Sequence, residues 1–181
     1  VIIPCYNVEQ HVEVAVRSVM DQTYTDLDVF AIDDGSTDGT TAKLAAPEGG
    51  YTRRCGVMAG RRRGAGAAGD SGLANSWRGC VQFLDADDAV LTDKLHRQVY
   101  LARANGLPDI IASDFLNVYE DGREDKITGA GNNAWMALLR TQLGTTSANL
   151  FKRTALEAAN GWNEEQLSSQ DYELMFRMMK N

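Results

Sequence analysis

Short apolar runs that end at acidic or turn-forming residues constrain the fold of this chain more than any other feature. Such runs occupy residues 1–3, 28–32 and 81–84, and the last two lead directly into aspartates. Runs of this length are typical of strands that are buried on both faces. Between the first two runs, Val12 and Val16 lie at helical spacing. Alternating strands and helices predict an α/β domain with a mostly parallel central sheet flanked by helices, and a ligand site beyond the carboxyl ends of the strands.

Turn and capping residues predict where the other elements begin and end. We expect Ser36 and Thr92 to cap the helices that follow the second and third strands. Asn105-Gly106 supplies the left-handed stop expected at the end of the second of these helices, and Asp121-Gly122 has hairpin-turn chemistry. The segments predicted in this way are helices over 36–46, 92–102, 134–143 and from about 171 onwards, with strands over 109–112 and 147–151.

Length and composition bound what the chain can do. Its 181 residues are 44% hydrophobic and 24% charged, which favours a single domain over residues 1–181. The formal net charge of −7 provides no basic field for a nucleic acid. No apolar stretch approaches the roughly 18 residues of a spanning helix, and Cys5, Cys55 and Cys80 are too widely spaced for a disulfide framework or a structural zinc site. We therefore expect a cytoplasmic protein, at most at the inner face of the membrane, without a nucleic-acid partner.

The stretch from residue 47 to residue 72 is rich in Gly and Arg and shows no convincing periodicity. Its basic run, residues 61–63, either holds a phosphate or forms a solvated loop. Residues 64–69 match the G-x-G-x-x-G pattern of dinucleotide-binding proteins, but arginines precede them where that fold requires a buried strand. We therefore assign no dinucleotide-binding role to this stretch.

Aspartates cluster at the ends of two predicted strands. Asp33 and Asp34 follow the second strand, and Asp85, Asp87 and Asp88 follow the third. Carboxylates packed so densely repel one another unless a cation or hydrogen-bond donors compensate. Magnesium or manganese prefers hard oxygen ligands and often takes one or two carboxylates, with water and phosphate oxygens in its other positions. The clusters therefore favour a site for a metal-bound diphosphate.

Motifs spread over the whole chain resemble, in order and in spacing, those of family 2 glycosyltransferases of GT-A fold. They read VIIPCYN at 1–7, IDDGSTDGT at 32–40, FLDADD at 83–88, GWNE at 161–164 and SQDYEL at 169–174. The resemblance implies a Rossmann-like nucleotide-binding half over about 1–115 and a smaller acceptor-side half over about 116–181. It also implies inverting transfer of a sugar from a nucleotide-sugar, typically a UDP-sugar, to a saccharide or lipid-linked acceptor. Relatives of this kind commonly build bacterial surface polysaccharides.

The same resemblance assigns the donor-binding residues. By position, Pro4, Tyr6, Asn7 and Glu9 would form the first nucleotide-binding loop. Asp34 would hydrogen-bond the base of the donor, typically uracil. For Tyr6 and Asn7 the alternative interpretation is packing within a turn.

Three carboxylates receive roles at the reacting centre from this resemblance. Asp85 would contact the ribose side of the donor, and Asp87 would hold the Mn²⁺ or Mg²⁺ that bridges the diphosphate. Asp171 would be the general base that takes the proton of the acceptor hydroxyl. The alternative for Asp171 is a favourable negative charge in the first turn of a helix.

The chain departs from the family pattern in one place. Where relatives show an Ala-Arg-Asn-x-Gly motif, residues 67–72 read AAGDSG, which puts Asp70 near an anionic donor. One of the arginines at 61–63 could supply the missing positive charge. Because the resemblance stops near residue 47 and resumes near residue 71, we raise the hypothesis that residues 47–70 are translated from a shifted reading frame.

Two other functions compete with transfer. The chain opens without methionine and stops inside a helical pattern, so we expect a fragment, whose membrane contacts, if any, would lie in other parts of the protein. Such a fragment could bind a nucleotide-sugar without turning it over. A phospho-receiver module also gathers acids at strand ends around magnesium, but it needs a lysine at the end of a late strand, and no predicted strand ends in one.

Overall fold

Strands and helices alternate through the first half of the chain. A computed structural model describes residues 1–45, 55–129, 133–166 and 168–180, with the backbone alone for residues 55–59. The strands in these ranges are β1 (Ile2–Cys5), β2 (Val29–Asp33), β3 (Cys55–Ala59), β4 (Cys80–Val81), β5 (Ile110–Ile111), β6 (Phe115–Val118), β7 (Glu124–Ile127) and β8 (Leu150–Lys152). The helices are α1 (Val12–Met20), α2 (Thr40–Ala45), α3 (Ala65–Asn75), α4 (Lys94–Ala104), α5 (Ala134–Leu139), α6 (Arg153–Ala158) and α7 (Gln170–Lys180). A 3-10 helix, Thr146–Ala148, precedes β8.

The described strands on one side of β1 are all parallel to it, whereas the other side contains the antiparallel strand β8. β1 pairs with β2, and β2 with β3, both in parallel. On its other side, Ile2 forms a parallel bridge with Phe83. Two backbone hydrogen bonds hold this segment, from Ile2 N to Gln82 O at 2.8 Å and from Leu84 N to Ile2 O at 2.9 Å. β8 lies between β4 and β5 and runs antiparallel to both, while β6 and β7 form a separate hairpin. The α/β fold with a mostly parallel central sheet is confirmed.

The core has two layers, one on each face of the sheet. Neighbouring residues of a strand point to opposite faces. Ile2 accordingly joins the buried cluster that contains Phe83 and Leu174, whereas Ile3 joins the cluster that contains Val16. β1 is thus held from both sides, which fixes the position of the loop that follows it.

Two turns form as the sequence predicts. Gly106, with a φ of +71°, follows α4, and Gly122, with a φ of +80°, lies in the turn between β6 and β7. Glycine adopts this left-handed conformation without the steric cost that a Cβ would add. The prediction that no strand ends in a lysine is wrong, since β8 ends at Lys152. The first apolar run also extends further than predicted, because Pro4 lies within β1, opposite Ile32, instead of ending the strand.

Both helix-capping predictions are wrong. α2 begins at Thr40, because the Asp33 carboxylate accepts the Ser36 N–H at 2.9 Å and holds the intervening residues in a turn. α4 begins at Lys94, with Asp93 at its N-cap and Thr92 outside the helix. α5 is also shorter than predicted and ends at Leu139.

The stretch from 47 to 72 contains regular structure that its sequence did not predict. β3 and most of α3 lie there, and residues 46–54 are outside the described ranges. The buried face of α3 consists largely of small residues, among them Gly66, Gly69 and Gly72. A helix that buries glycines has no row of large apolar residues, so its periodicity is invisible to hydrophobic patterning. No helix among the described residues has the length and apolar character needed to span a membrane.

Candidate active site

A cleft of about 290 Å³ opens at the carboxyl end of β1, where the sequence predicts the ligand site. Ligand sites of parallel α/β sheets lie beyond this end of the strands. The walls of the cleft come from distant parts of the chain and include Pro4, Gly66, Asp85, Thr146, Trp162 and Asp171. The cleft therefore unites the first loop, α3, the Asp-x-Asp segment and the start of α7.

A second cavity, of about 280 Å³, lies at the opposite edge of the sheet, where Val1 and Asp28 precede β1 and β2. Arg78 forms an ion pair with Asp28 at 2.6 Å on its wall. Lys152 ends β8 on this side and pairs with Asp109 at 3.3 Å. Because this edge is away from the aspartate clusters, Lys152 gives no support to a phospho-receiver site.

Asp85 lies where the acidic segments meet. Its backbone N–H donates to Ser147 Oγ at 3.0 Å, and its carbonyl accepts the Asp88 N–H at 3.0 Å. Loss of water around the carboxyl, followed by the negative charges of Asp88, Asp87 and Asp171, raises the pKa of Asp85 to about 6. The structure thus brings Asp171 close to the Asp-x-Asp cluster, although the two are far apart in sequence.

The donor chemistry of this cluster fits a divalent cation. The charges that shift the pKa of Asp85 are all negative, and carboxylate oxygens are ligands that magnesium and manganese prefer. Among the described residues, no three His, Cys, Asp or Glu side chains converge closely enough to enclose an ion. An ion that takes one or two carboxylates and fills its shell with water and phosphate oxygens satisfies both observations. Asp87 is exposed and therefore accessible to such an ion.

Asp34 ties the end of β2 to the start of α3. Its two carboxylate oxygens accept the backbone N–H groups of Arg63 and Gly64, both at 2.7 Å. Its own N–H donates to Cys5 O at 2.8 Å, and the residue is only 6% exposed. A carboxylate offers about four acceptor positions, so contact with a base would add to this loop-holding role.

Asn7 and Glu9 fasten the loop after β1 to the loop after β2. Asn7 Oδ1 accepts the Thr37 N–H at 2.8 Å, and Glu9 Oε2 accepts the Gly39 N–H at 3.0 Å. A Cβ at Gly39 would lie 2.5 Å from the Glu9 carboxylate, so a larger residue there would displace this side chain. Both side chains therefore order the loop that the sequence assigned to the donor.

Tyr6 contacts an arginine, which could not be predicted from the sequence. The Arg62 guanidinium lies 4.1 Å from the centre of the Tyr6 ring, within the range of a cation–π interaction. Arg63 pairs with Glu164 at 2.9 Å, and both side chains are exposed. The basic run is thus exposed, as a solvated loop would be, but it also borders the loop assigned to the donor.

Comparison with known proteins decides the family. The sequence model of the family described as "Glycosyl transferase family 2" matches residues 1–158 of this chain. This chain belongs to glycosyl transferase family 2. TuaG of Bacillus subtilis (strain 168) is 36% identical over 99 residues, which cover 55% of this chain and 39% of TuaG. The chain therefore spans about two fifths of this curated relative.

Solved structures of glycosyltransferases share the fold. TarS 1-349 of S. aureus in complex with UDP superposes with a TM-score of 0.79 at 17% identity, covering 98% of this chain and 53% of that one. The mannosyltransferase PcManGT from Pyrobaculum calidifontis, in complex with GDP-Man and Mn²⁺, has a TM-score of 0.73 at 19% identity and covers 98% and 50%. At these identities the likeness establishes the GT-A fold of this family 2 chain.

The departure of this chain from the family motif is accommodated by close packing. A Cβ at Gly69 would lie 2.7 Å from Trp162 Nε1, and one at Gly72 would lie 2.4 Å from Ile2 Cγ2. A Cβ at Gly66 would lie 3.2 Å from Trp162 Cβ. Gly66 and Gly69, which formally match a dinucleotide fingerprint, therefore let α3 approach the GWNE motif, while Gly72 lets it approach β1. The reading-frame hypothesis for residues 47–70 stays a hypothesis.

Asp70 anchors the GWNE motif beneath the cleft. Its carboxylate oxygens accept the Trp162 N–H at 3.0 and 3.2 Å. Burial is the largest influence on the pKa of Asp70 and raises it, while the hydrogen bond from Trp162 opposes the rise. The Asp70 carboxylate therefore faces the backbone N–H of Trp162 and not an anionic donor.

Sequence reasoning missed the roles of two cleft residues, Trp162 and Thr146, and of Ser147, which holds Asp85. Trp162 packs edge-on against Phe83, with ring centroids 5.1 Å apart, and forms part of the cleft wall. Its only signal was its place in the GWNE motif. Thr146 and Ser147 have no such signal, because they lie in a short 3-10 helix whose position depends on tertiary contacts.

Proposed function

We propose that this protein transfers a sugar, with inversion, from a nucleotide-sugar to a saccharide or lipid-linked acceptor. The family membership supports a glycosyl transfer. Among the assigned residues, Pro4, Asp85 and Asp171 line the cleft, and the roles of the others follow the family motifs. One observation above all supports the proposed transfer: Asp85 and Asp171, which are far apart in the sequence, line the same cleft and interact electrostatically. A transferase needs acids on the donor side and on the acceptor side of one reacting carbon.

Asp171 is proposed as the general base. It lies in the first turn of α7, at the wall of the cleft. A carboxylate there can accept the proton of the acceptor hydroxyl as the oxygen attacks the anomeric carbon. Attack from the side opposite the departing nucleotide inverts the configuration at that carbon. Because Asp171 also carries a charge favourable to the helix, a kinetic test must separate these two roles.

Asp87 is proposed to hold Mn²⁺ or Mg²⁺, with Asp85 directed at the ribose side of the donor. When bound, the ion would offset the negative charge that develops on the departing nucleoside diphosphate. The unbalanced negative charge around Asp85 supports a cation at this point. The Mn²⁺ in the structure of PcManGT with GDP-Man supports the same choice by likeness of fold.

The loop formed by Pro4, Tyr6, Asn7 and Glu9 is proposed to bind the nucleotide, and Asp34 its base. Pro4 lines the cleft, and Asn7 and Glu9 hold the loop against its neighbour. The fold likeness to TarS, which has been crystallised with UDP and with UDP-GlcNAc, supports UDP as the nucleotide.

We further propose that the enzyme acts in the cytoplasm, in the assembly of a cell-envelope polysaccharide. The name of TuaG assigns that relative to teichuronic acid biosynthesis, and the name of ExoO of Rhizobium meliloti to succinoglycan biosynthesis. These names support a saccharide acceptor.

Release of UDP from a UDP-sugar, with and without Mn²⁺, tests the proposal. The Asp87→Asn variant should lose metal-dependent turnover. The Asp171→Asn variant should keep its affinity for UDP but lose about 10²–10⁴-fold in turnover, the usual effect of a general base. Asp21→Asn, at the exposed C-cap of α1, is the matched control and should behave as the wild type. Wild-type binding of UDP without any turnover would instead identify a non-catalytic binding protein.

A further inference from the structure

A half-buried lysine has no role in the chemistry described above. Lys94, in the first turn of α4, donates through Nζ to the side-chain oxygens of Gln82 and Gln98, the latter at 2.8 Å. Loss of water around the amino group lowers the pKa of Lys94 to about 7. A buried ammonium group without a counter-charge is costly, and both partners named here are neutral amides.

The lysine determines which way the two amides face. An amide whose oxygen accepts from Lys94 must turn its NH₂ group to the other side. Gln82 and Gln98 are only 2% and 3% exposed, so their NH₂ groups need partners within the protein. Gln82 Nε2 donates to Ser147 O at 3.0 Å, and Gln98 Nε2 donates to Ala148 O at 2.9 Å.

These acceptors belong to the 3-10 helix that forms part of the cleft wall. A single turn of helix leaves carbonyl groups without a partner in the turn itself. Gln82 Nε2 also reaches Thr146 O at 3.3 Å, so two glutamines serve three consecutive carbonyls. On the other side of this turn, Ser147 Oγ accepts the Asp85 N–H at 3.0 Å, and Thr146 lines the cleft.

We propose that Lys94 is a positioning residue of the active site, which orients Gln82 and Gln98 so that the 146–148 turn holds Asp85 and Thr146 in place for the nucleotide-sugar. The proposal rests on the proposed function for its consequence in donor binding. Lys94 acts through geometry, since the charges that shift Asp85 do not include it. A lysine that has lost its proton still donates two N–H bonds, so both protonation states can orient the amides.

Lys94→Met tests the proposal, because methionine has a similar length and no donor. Without Lys94 the two amides can turn, and the 146–148 turn loses the hydrogen bonds from Gln82 and Gln98, although Ser113 Oγ can still donate to Ala148 O. We expect the hydrogen exchange of the Asp85 amide to accelerate about tenfold more than that of amides in β1 and β2, which would report local loosening. Affinity for UDP in the presence of Mn²⁺ should fall about tenfold, since a site displaced by a fraction of an ångström binds less well.

Two controls separate positioning from a loss of stability. Val16→Ala, in the buried cluster that contains Ile3, creates a cavity on α1 and should lower stability throughout while leaving UDP affinity unchanged. Arg97→Met, one turn along α4 and exposed, should change neither measurement. Should Lys94→Met fail to fold, Lys94→Gln, which keeps a shorter NH₂ donor, would take its place.

Each result decides between the alternatives. Equal acceleration of exchange at Asp85 and in β1 and β2, or unchanged UDP affinity in Lys94→Met, would overturn the positioning role. If the wild type itself does not bind UDP, the proposed function fails. The exchange of the Asp85 amide then decides alone whether Lys94 orders this segment.

Discussion

The close approach of α3 to β1 makes Gly72→Ala a decisive substitution. A Cβ at position 72 would lie 2.4 Å from Ile2 Cγ2 and 3.1 Å from Ile2 Cγ1. Ile2 is 1% exposed in β1, and its β-branched side chain has little freedom to move away. The substitution therefore forces a shift of either the helix or the strand.

The expected magnitude follows from two opposing effects. Alanine is better than glycine in a helix interior by about 1 kcal/mol, whereas overpacking of a well-packed core costs about 1–3 kcal/mol. Gly72→Ala should therefore lower the free energy of unfolding by up to about 2 kcal/mol. In an Ile2→Ala background the obstructing Cγ1 and Cγ2 atoms are absent, and the same substitution should raise that free energy by about 1 kcal/mol.

Urea unfolding of the wild type, both single variants and the double variant measures this difference as a double-mutant cycle. Gly79→Ala is the matched control, because a Cβ there would meet no atom within 4 Å. An equal stabilisation by Gly72→Ala in both backgrounds would refute the reasoning. It would show that α3 does not lie against β1 as described.

Three further predictions concern Asp34, Asp85 and Lys94. Asp34→Ala leaves the N–H groups of Arg63 and Gly64 without their acceptor and should cost about 2–4 kcal/mol in urea unfolding; a loss below about 0.5 kcal/mol would contradict this role. The pKa of Asp85, about 6, lies above its ordinary 3.8, so the folded state binds more protons between these values and loses stability as pH rises through them. Without metal, Asp85→Asn should therefore have a higher free energy of unfolding than the wild type at neutral pH. If this difference persists below pH 3.8, the pKa of Asp85 is not raised in the folded state. The pKa of Lys94, about 7, lies below its ordinary 10.5. Between these values the unfolded state binds more protons, so the free energy of unfolding of the wild type should rise with pH. Lys94→Met should lack this rise.

Strongly patterned elements could be predicted from the sequence. The apolar runs before Asp33 and Asp85 became β2 and the segment beside β1, and the spacing of Val12 and Val16 became α1. Acidic residues at the carboxyl ends of those strands meet at one edge, as the parallel arrangement requires. Asp171 could be joined to them only through its resemblance to a family motif, because no local pattern links α7 to β1.

Features that depend on tertiary contacts were not predictable. α3 buries glycines against Ile2 and Trp162, so no hydrophobic period marks it. Ser36 is a good helix cap by type, but the Asp33 carboxylate holds it in a turn before α2. The 146–148 turn owes its position to Gln82 and Gln98, whose partners lie far along the chain.

The most direct test of whether Asp85, Asp87 and Asp171 serve one reaction is a crystal soaked with UDP and Mn²⁺. Anomalous scattering would locate the manganese. We expect the manganese peak within bonding distance of the Asp87 carboxylate, with the diphosphate beside it and Asp171 facing the position of the transferred sugar. Manganese and UDP bound away from Asp85 and Asp171, for instance in the cavity beside Arg78, would contradict the proposed transferase site.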